Sequence, residues 1–132
     1  MTYDQIFAKV RTLLVEALSV DDDQIAPTSR LAADLNAESI DMLDIVFRLE
    51  REFNLGKIDR NELFPESIFQ GDPDFVQNGV VTAKGMAELY AKFPFADQDT
   101  LNKFAADPQL ESMGDIFTVD LIVRYVQSKL AK

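Results

Sequence analysis

The chain has no cysteine, no histidine and no tryptophan among its 132 residues. Without cysteine there is no disulfide, no thiolate metal ligand and no thiol nucleophile. Without histidine the commonest general base and most zinc sites are missing as well. Carboxylate or lysine chemistry stays open, yet this inventory favours a binding or carrying role over an enzymatic one, and no metal site is expected. Basic residues are also scarce: 13 Lys and Arg stand against 23 Asp and Glu, a formal charge of −10. Such a field repels nucleic acids and anionic membranes and suits basic protein surfaces. Plain solubility is the other reading of the same number. No apolar run approaches the roughly 20 residues of a membrane span. The opening "MTYDQIFAKV" lacks a basic-then-apolar signal pattern. A soluble, cytoplasmic monomer is therefore expected.

What is present is helical periodicity. Ile6, Val10, Leu13, Leu14, Ala17 and Leu18 fall on one face of a helix over residues 2–18. Residues 19–38 read as a long loop that Val20, Ile25, Leu31 and Leu35 would pin to the core. Residues 39–53, "SIDMLDIVFRLEREF", predict a helix that ends before Gly56. Near the C-terminus Val119, Ile122, Val123, Val126 and Leu130 mark another, starting at about Thr118. Between them, "PESIFQGDPDFVQNGVV" reads as irregular because of its prolines and glycines. "TAKGMAELYAKF" predicts a helix capped by Thr82 and weakened by Gly85, and "QDTLNKFA" a shorter one. A chain of this length forms one domain, 1–132, and the expected fold class is all-α.

The helix over 39–53 carries more apolar residues than one face can bury. Met42, Ile45, Val46, Leu49 and Phe53 form a core stripe. Ile40, Leu43 and Phe47 lie on a neighbouring arc with Asp44, Glu50 and Arg51. Left exposed, that second stripe suits a partner; covered by the middle of the chain, it is ordinary core. Ser39 stands where unpaired N–H groups and the helix dipole favour an anion. As a bare hydroxyl it is an N-cap worth ~1 kcal/mol. A nucleophile or a point of attachment are the alternatives that local evidence leaves open. "DFVQNGVVTAKG" spaces Asp74, Asn78, Gly79 and Val81 as a Ca²⁺ loop would, but Val76 and Gly85 occupy two positions that need oxygen ligands. "VDDDQ" reads as a solvated loop.

The succession of a helix, a long loop, "ADLNAESID", an acidic helix closing on "LEREF" and a final "TVDLIVRYV" resembles the acyl carrier protein family. The residues that carry the resemblance are Leu35, Asn36, Ala37, Glu38, Ser39, Ile40 and Asp41, then Leu49, Glu50 and Phe53. The family signature is Asp-Ser-Leu, often after Leu-Gly-Ala; here Glu38 replaces the aspartate and Asn36 the glycine. Asparagine tolerates left-handed backbone, so the turn is expected to survive. The match runs unbroken over about 31–53 and more loosely over 3–58 and 116–130. The resemblance implies an antiparallel helical bundle with core 1–58 and 116–132. An insertion of about 59–115, with extra helices, would precede the last helix, as in longer carriers serving a dedicated fatty-acid, lipid or lipopolysaccharide pathway.

Carried onto this chain, the resemblance makes Ser39 the attachment point of 4′-phosphopantetheine, added from coenzyme A by a phosphopantetheinyl transferase. Acyl groups would ride as thioesters on a thiol that the sequence itself lacks, with no catalytic residue in the carrier. Glu38, Asp41, Asp44 and Glu50 would face basic patches on acyltransferases or other lipid-synthesis enzymes, with Ile40, Leu43 and Phe47 as the apolar contact; Arg51 departs from the acidic pattern. Val46, Leu49 and Ile122 are candidates to line an acyl cavity. An aminoacyl or peptidyl carrier, or an unmodified helical interaction domain, are the alternatives.

Overall fold

A computed structural model describes every residue except 65–67, 69 and 132, and only the backbone of Ser39, Arg60 and Asn61. Helix α1 spans Tyr3–Leu18, opened by a capping box in which Thr2 and Gln5 bond each other's backbone N–H, and ended by Ser19 in left-handed backbone (φ 55°). Helix α2 spans Ser39–Glu52 and the short α3 Arg60–Leu63. Strands β1 (Val76–Gln77) and β2 (Val80–Val81) form a hairpin. Helices α4 (Ala83–Lys92) and α5 (Gln98–Ala106), a 3₁₀ segment (Leu110–Ile116) and helix α6 (Val119–Leu130) complete the chain.

Helix α1 packs against both α2 and α6. Its buried face is Ile6, Val10, Leu13 and Leu14, as the periodicity predicts. They meet Ile45, Val46 and Leu49 of α2, Phe53 just after it, and Val119, Ile122, Val123 and Val126 of α6 in one core. Leu130, placed by sequence on the α6 stripe, is exposed, because the helix runs past the end of the core. In the loop before α2, Ile25, Leu31 and Leu35 are buried and Val20 half-buried. Backbone bonds hold this loop to the start of α6: Leu31 donates to Phe117, Val119 to Ser29 and Asp120 to Pro27, at 3.0, 3.0 and 2.9 Å.

The segment expected to be irregular contains the hairpin; its residues 65–67 and 69 lie outside the described residues. Asn78 (φ 56°) and Gly79 (φ 76°) occupy the two-residue turn between Gln77 and Val80, the two positive φ angles that a type I′ turn requires. The Ca²⁺-like spacing of Asp74–Gly85 is accordingly a hairpin followed by a helix start, where Thr82 accepts from the Gly85 N–H at 3.1 Å. The hairpin continues onto residues 108–110: Val81 donates to Pro108 and Leu110 to Gly79, each at 2.8 Å. Edge-on contacts of Phe93 with Phe95 and Phe117, and of Phe95 with Tyr125, then tie the chain just after α4 to Phe117 and to α6.

Candidate functional site

The approach to α2 is shaped by short-range bonds. Arg30 pairs with Asp34 at 3.2 Å and Asp115 at 3.0 Å, and the hydrogen bond from its side chain holds Asp34 below the usual carboxylate range. Ala37 then donates to Leu31 at 2.9 Å. Asn36 turns in left-handed backbone (φ 58°), the conformation expected of asparagine in glycine's place. Glu38 is extended (φ −103°, ψ 172°) and Ser39 is the first helical residue. The N-cap is therefore Glu38, one residue before the serine that sequence alone placed there. The Asp41 carboxylate accepts the Glu38 N–H at 2.8 Å and closes the first turn. Position matters for chemistry: the N–H groups of Ser39, Ile40 and Asp41 head a helix of 14 residues and have no acceptor within it. An anion on Ser39 would stand at the positive end of that dipole. The Ser39 side chain itself lies outside the described residues.

Along α2 the second apolar stripe stays uncovered. Ile40 is 74% and Phe47 52% exposed, among the largest apolar exposures of the chain, and Leu43 is half-buried. The middle of the chain packs elsewhere, so the alternative of ordinary core does not hold for Ile40 and Phe47. The acidic residues beside the stripe divide into two kinds. Glu38 is exposed, and Asp41 is half-buried with one oxygen on the Glu38 N–H. Asp44 is bridged by Arg48 at 3.0 Å, and Arg48 reaches Glu16 at 3.2 Å. Glu50 turns off the helix to accept the Ile58 N–H and so holds the loop after α2. Helical spacing puts Glu50 on the right side but cannot reveal that the loop folds back to use it.

Val46, Leu49 and Ile122 are 2%, 0% and 0% exposed, all within the single core that α1, α2 and α6 share. Sequence reasoning gave no role to a polar cluster that joins α3 to α6. Tyr125, 2% exposed, donates to Glu62 at 2.8 Å, and Lys129 pairs with the same oxygen at 2.8 Å. Burial, then the carboxylate beside it, pushes the Tyr125 phenol well above its ordinary range. Among the described residues no cluster of Asp and Glu could hold a metal ion, and no helix is long and apolar enough to cross a membrane.

The family model for the phosphopantetheine attachment site matches residues 8–66, from within α1 past the end of α3. An acyl carrier protein of Borreliella burgdorferi is 42% identical over 62 residues, 47% of this chain and 76% of that protein. One from Thermosynechococcus vestitus is 34% identical over 80 residues, 61% of this chain and 98% of its own length. The chain belongs to the acyl carrier protein family. It is thus a carrier and not an enzyme, and membership implies a covalently attached 4′-phosphopantetheine. One from Thermotoga maritima is 38% identical over 60 residues, 46% of this chain and 73% of the relative. No solved structure matches the carrier. The family model ends at residue 66, so the hairpin, α4, α5 and α6 lie beyond it.

Proposed function

We propose that Ser39 is the residue to which 4′-phosphopantetheine is attached, and that the chain carries acyl groups for a dedicated fatty-acid, lipid or lipopolysaccharide pathway. The observation that carries this reading is the placement of the serines within residues 8–66, which are Ser19, Ser29 and Ser39. Ser29 is 8% exposed, and its hydroxyl is engaged twice at 2.9 Å, accepting from Ala26 N–H and donating to the Gln24 carbonyl. Ser19 follows the C-terminal end of α1, where the dipole is negative and disfavours a phosphodiester. Ser39 alone of the three opens a helix, between exposed Glu38 and Ile40.

The bound group would supply a terminal thiol that holds the acyl chain as a thioester, chemistry for which the chain has no side chain of its own. What the chain contributes is position. In the transfer, the Ser39 hydroxyl gives up its proton to the transferase and forms the bond to phosphorus as the nucleotide half of coenzyme A leaves. No internal base is needed, which fits a chain without histidine. The first-turn amides of α2 offset the charge that remains. Glu38, Asp41 and Asp44 supply negative field, and Ile40, Leu43 and Phe47 apolar area, to a basic enzyme surface; Glu50, bound to Ile58 N–H, serves this face less directly. Val46, Leu49 and Ile122 would border an acyl chain entering between α2 and α6, where each buried methylene contributes ~0.8 kcal/mol against the separation of packed helices. Residues 59–115 stand as an insertion into the carrier core 1–58 and 116–132.

Co-expression with a broad-specificity phosphopantetheinyl transferase, followed by intact mass measurement, tests the proposal. The mass should rise by one phosphopantetheinyl group, and Ser39→Ala should abolish the rise while leaving the far-UV circular dichroism unchanged. A wild-type protein left unmodified by several transferases would overturn it.

A further inference from the structure

Most basic side chains of this acidic protein are matched at close range. Lys9 pairs with Glu52, Arg30 with Asp34 and Asp115, Arg48 with Asp44 and Glu16, and Lys84 with Asp74. Lys92 pairs with Glu88, Arg124 with Asp120 and Lys129 with Glu62. Among the described residues four cations stand apart from these pairs: Arg11 lies over the Phe7 ring, Lys103 is exposed on α5, and Arg51 and Lys57 come together at the end of α2. Arg51 and Lys57 are both exposed, and neither has an ion-pair partner among the described residues. They share one shallow groove of about 650 Å³ with Phe47, Asn54 and Ile58, where α2 gives way to the loop before α3. The one carboxylate in the groove, Glu50, is committed to the Ile58 N–H. Two cations and one carboxylate, held by one oxygen to the backbone, thus line the groove beside exposed Phe47 and leave it with an excess of positive charge.

A cation in the last turn of a helix complements the dipole, which suffices for Arg51 alone. It explains neither Lys57, beyond the helix, nor the exposure of Phe47 beside both. The acidic end of the same face does not neutralise them: its nearest carboxylate, Asp44, is taken by Arg48, and the next, Asp41, is ten residues from Arg51, about 15 Å along the axis. At physiological ionic strength that is roughly twice the screening length, so the two ends act as separate patches. Phe47 joins them, ending the exposed stripe that begins at Ile40.

We propose that α2 docks its dedicated partner with two signs of charge, and that the Arg51–Lys57 groove takes a partner-protein segment carrying an Asp or Glu beside an apolar side chain. This rests on the reading of α2 as the docking helix. The apolar side chain covers Phe47 and the carboxylate lies between the two cations, as interface charges fix register and exclude wrong partners. A partner that is basic throughout is rejected at this end, so the groove selects one enzyme among those attracted to the acidic end.

The test uses the unmodified full chain, so it does not depend on loading at Ser39. Two synthetic helical peptides with the same leucine pattern, one flanked by Glu and the other by Lys, are titrated into nitrogen-15-labelled protein, and the amide shifts are followed by NMR. The Glu peptide should shift Phe47, Arg51 and Lys57, and Arg51→Glu with Lys57→Glu should weaken its binding by on the order of tenfold or more, because like charges then oppose across the contact. The Lys peptide should shift residues 38–44 instead. A Glu peptide that leaves the groove unmoved, or that binds the doubly substituted protein equally well, would overturn the proposal. So would a Lys peptide that occupies the groove.

Discussion

Gly85→Ala should destabilise the protein, although alanine is the better helix former. Gly85 lies in the first turn of α4, and an exposed helix position gains about 1 kcal/mol from such a change. Here a Cβ would stand 2.5 Å from the Phe75 carbonyl oxygen and 2.7 Å from Val81 Cγ1. The carbonyl cannot step aside cheaply, because it accepts the Thr82 N–H at 2.8 Å while Thr82 Oγ1 holds the Asp74 carbonyl at 2.9 Å. Relief requires α4 to slide off the hairpin by at least about half an ångström, and overpacking of that kind costs about 2–3 kcal/mol. The net is a loss of about 1–2 kcal/mol, read as a lower urea midpoint in far-UV circular dichroism with an unchanged slope. Gly114→Ala is the control, since nothing lies within 4 Å of its Cβ and its φ is not positive; it should be neutral or raise the midpoint slightly. A Gly85→Ala protein as stable as wild type would refute the close approach of helix and hairpin.

Other perturbations separate surface from core and titrating from silent groups. Ile45→Ala should cost about 2–5 kcal/mol by urea unfolding, while Phe47→Ala on the exposed stripe should stay within about 0.5. Burial raises the phenols of Tyr3 and Tyr125 above their ordinary 10.0, Tyr3 also bonding Asp120 and Tyr125 Glu62. A raised folded pKa means stability that is complete below the unfolded value and lost as pH rises through the folded one. Stability should therefore fall above about pH 10, and Tyr3→Phe with Tyr125→Phe should flatten that limb of the pH–urea profile. Asp34 has the opposite sign: held low by Arg30, it contributes stability above the ordinary carboxylate pKa that is lost as pH falls through its own, so Asp34→Asn should flatten the acid limb. With a net charge of −10, the melting temperature at neutral pH should rise when sodium chloride is added; a fall would show that ion pairs outweigh self-repulsion.

Local patterns carried most of the fold. The buried residues of α1, α2 and α6 are largely those of the apolar periodicity, and Thr82 and Thr118 cap α4 and α6, each accepting from the N–H three residues on. Asn36 is left-handed as its side chain permits. What escaped was non-local or competed with a louder signal. The Asn-Gly turn was legible in principle, but the prolines and glycines around it spoke for irregular chain, and the partner strand is completed by residues 108–110, thirty positions away. Ser39 as first helical residue rather than cap is a one-residue boundary that depends on Glu38 being extended. Glu50 fell to the same cause: spacing assigns its side of the helix, and a bond to Ile58 decides its use. The Tyr125–Glu62–Lys129 cluster joins α3 to α6 across residues that no window in the sequence brings together.

The central claim is that one serine, at the start of α2, bears the prosthetic group. Proteolysis of the loaded protein followed by fragmentation in the mass spectrometer locates it directly. The phosphopantetheinyl group should be found on the peptide containing Ser39 and be released from that residue. Its appearance on a peptide containing Ser19 or Ser29, with Ser39 unmodified, would contradict the account.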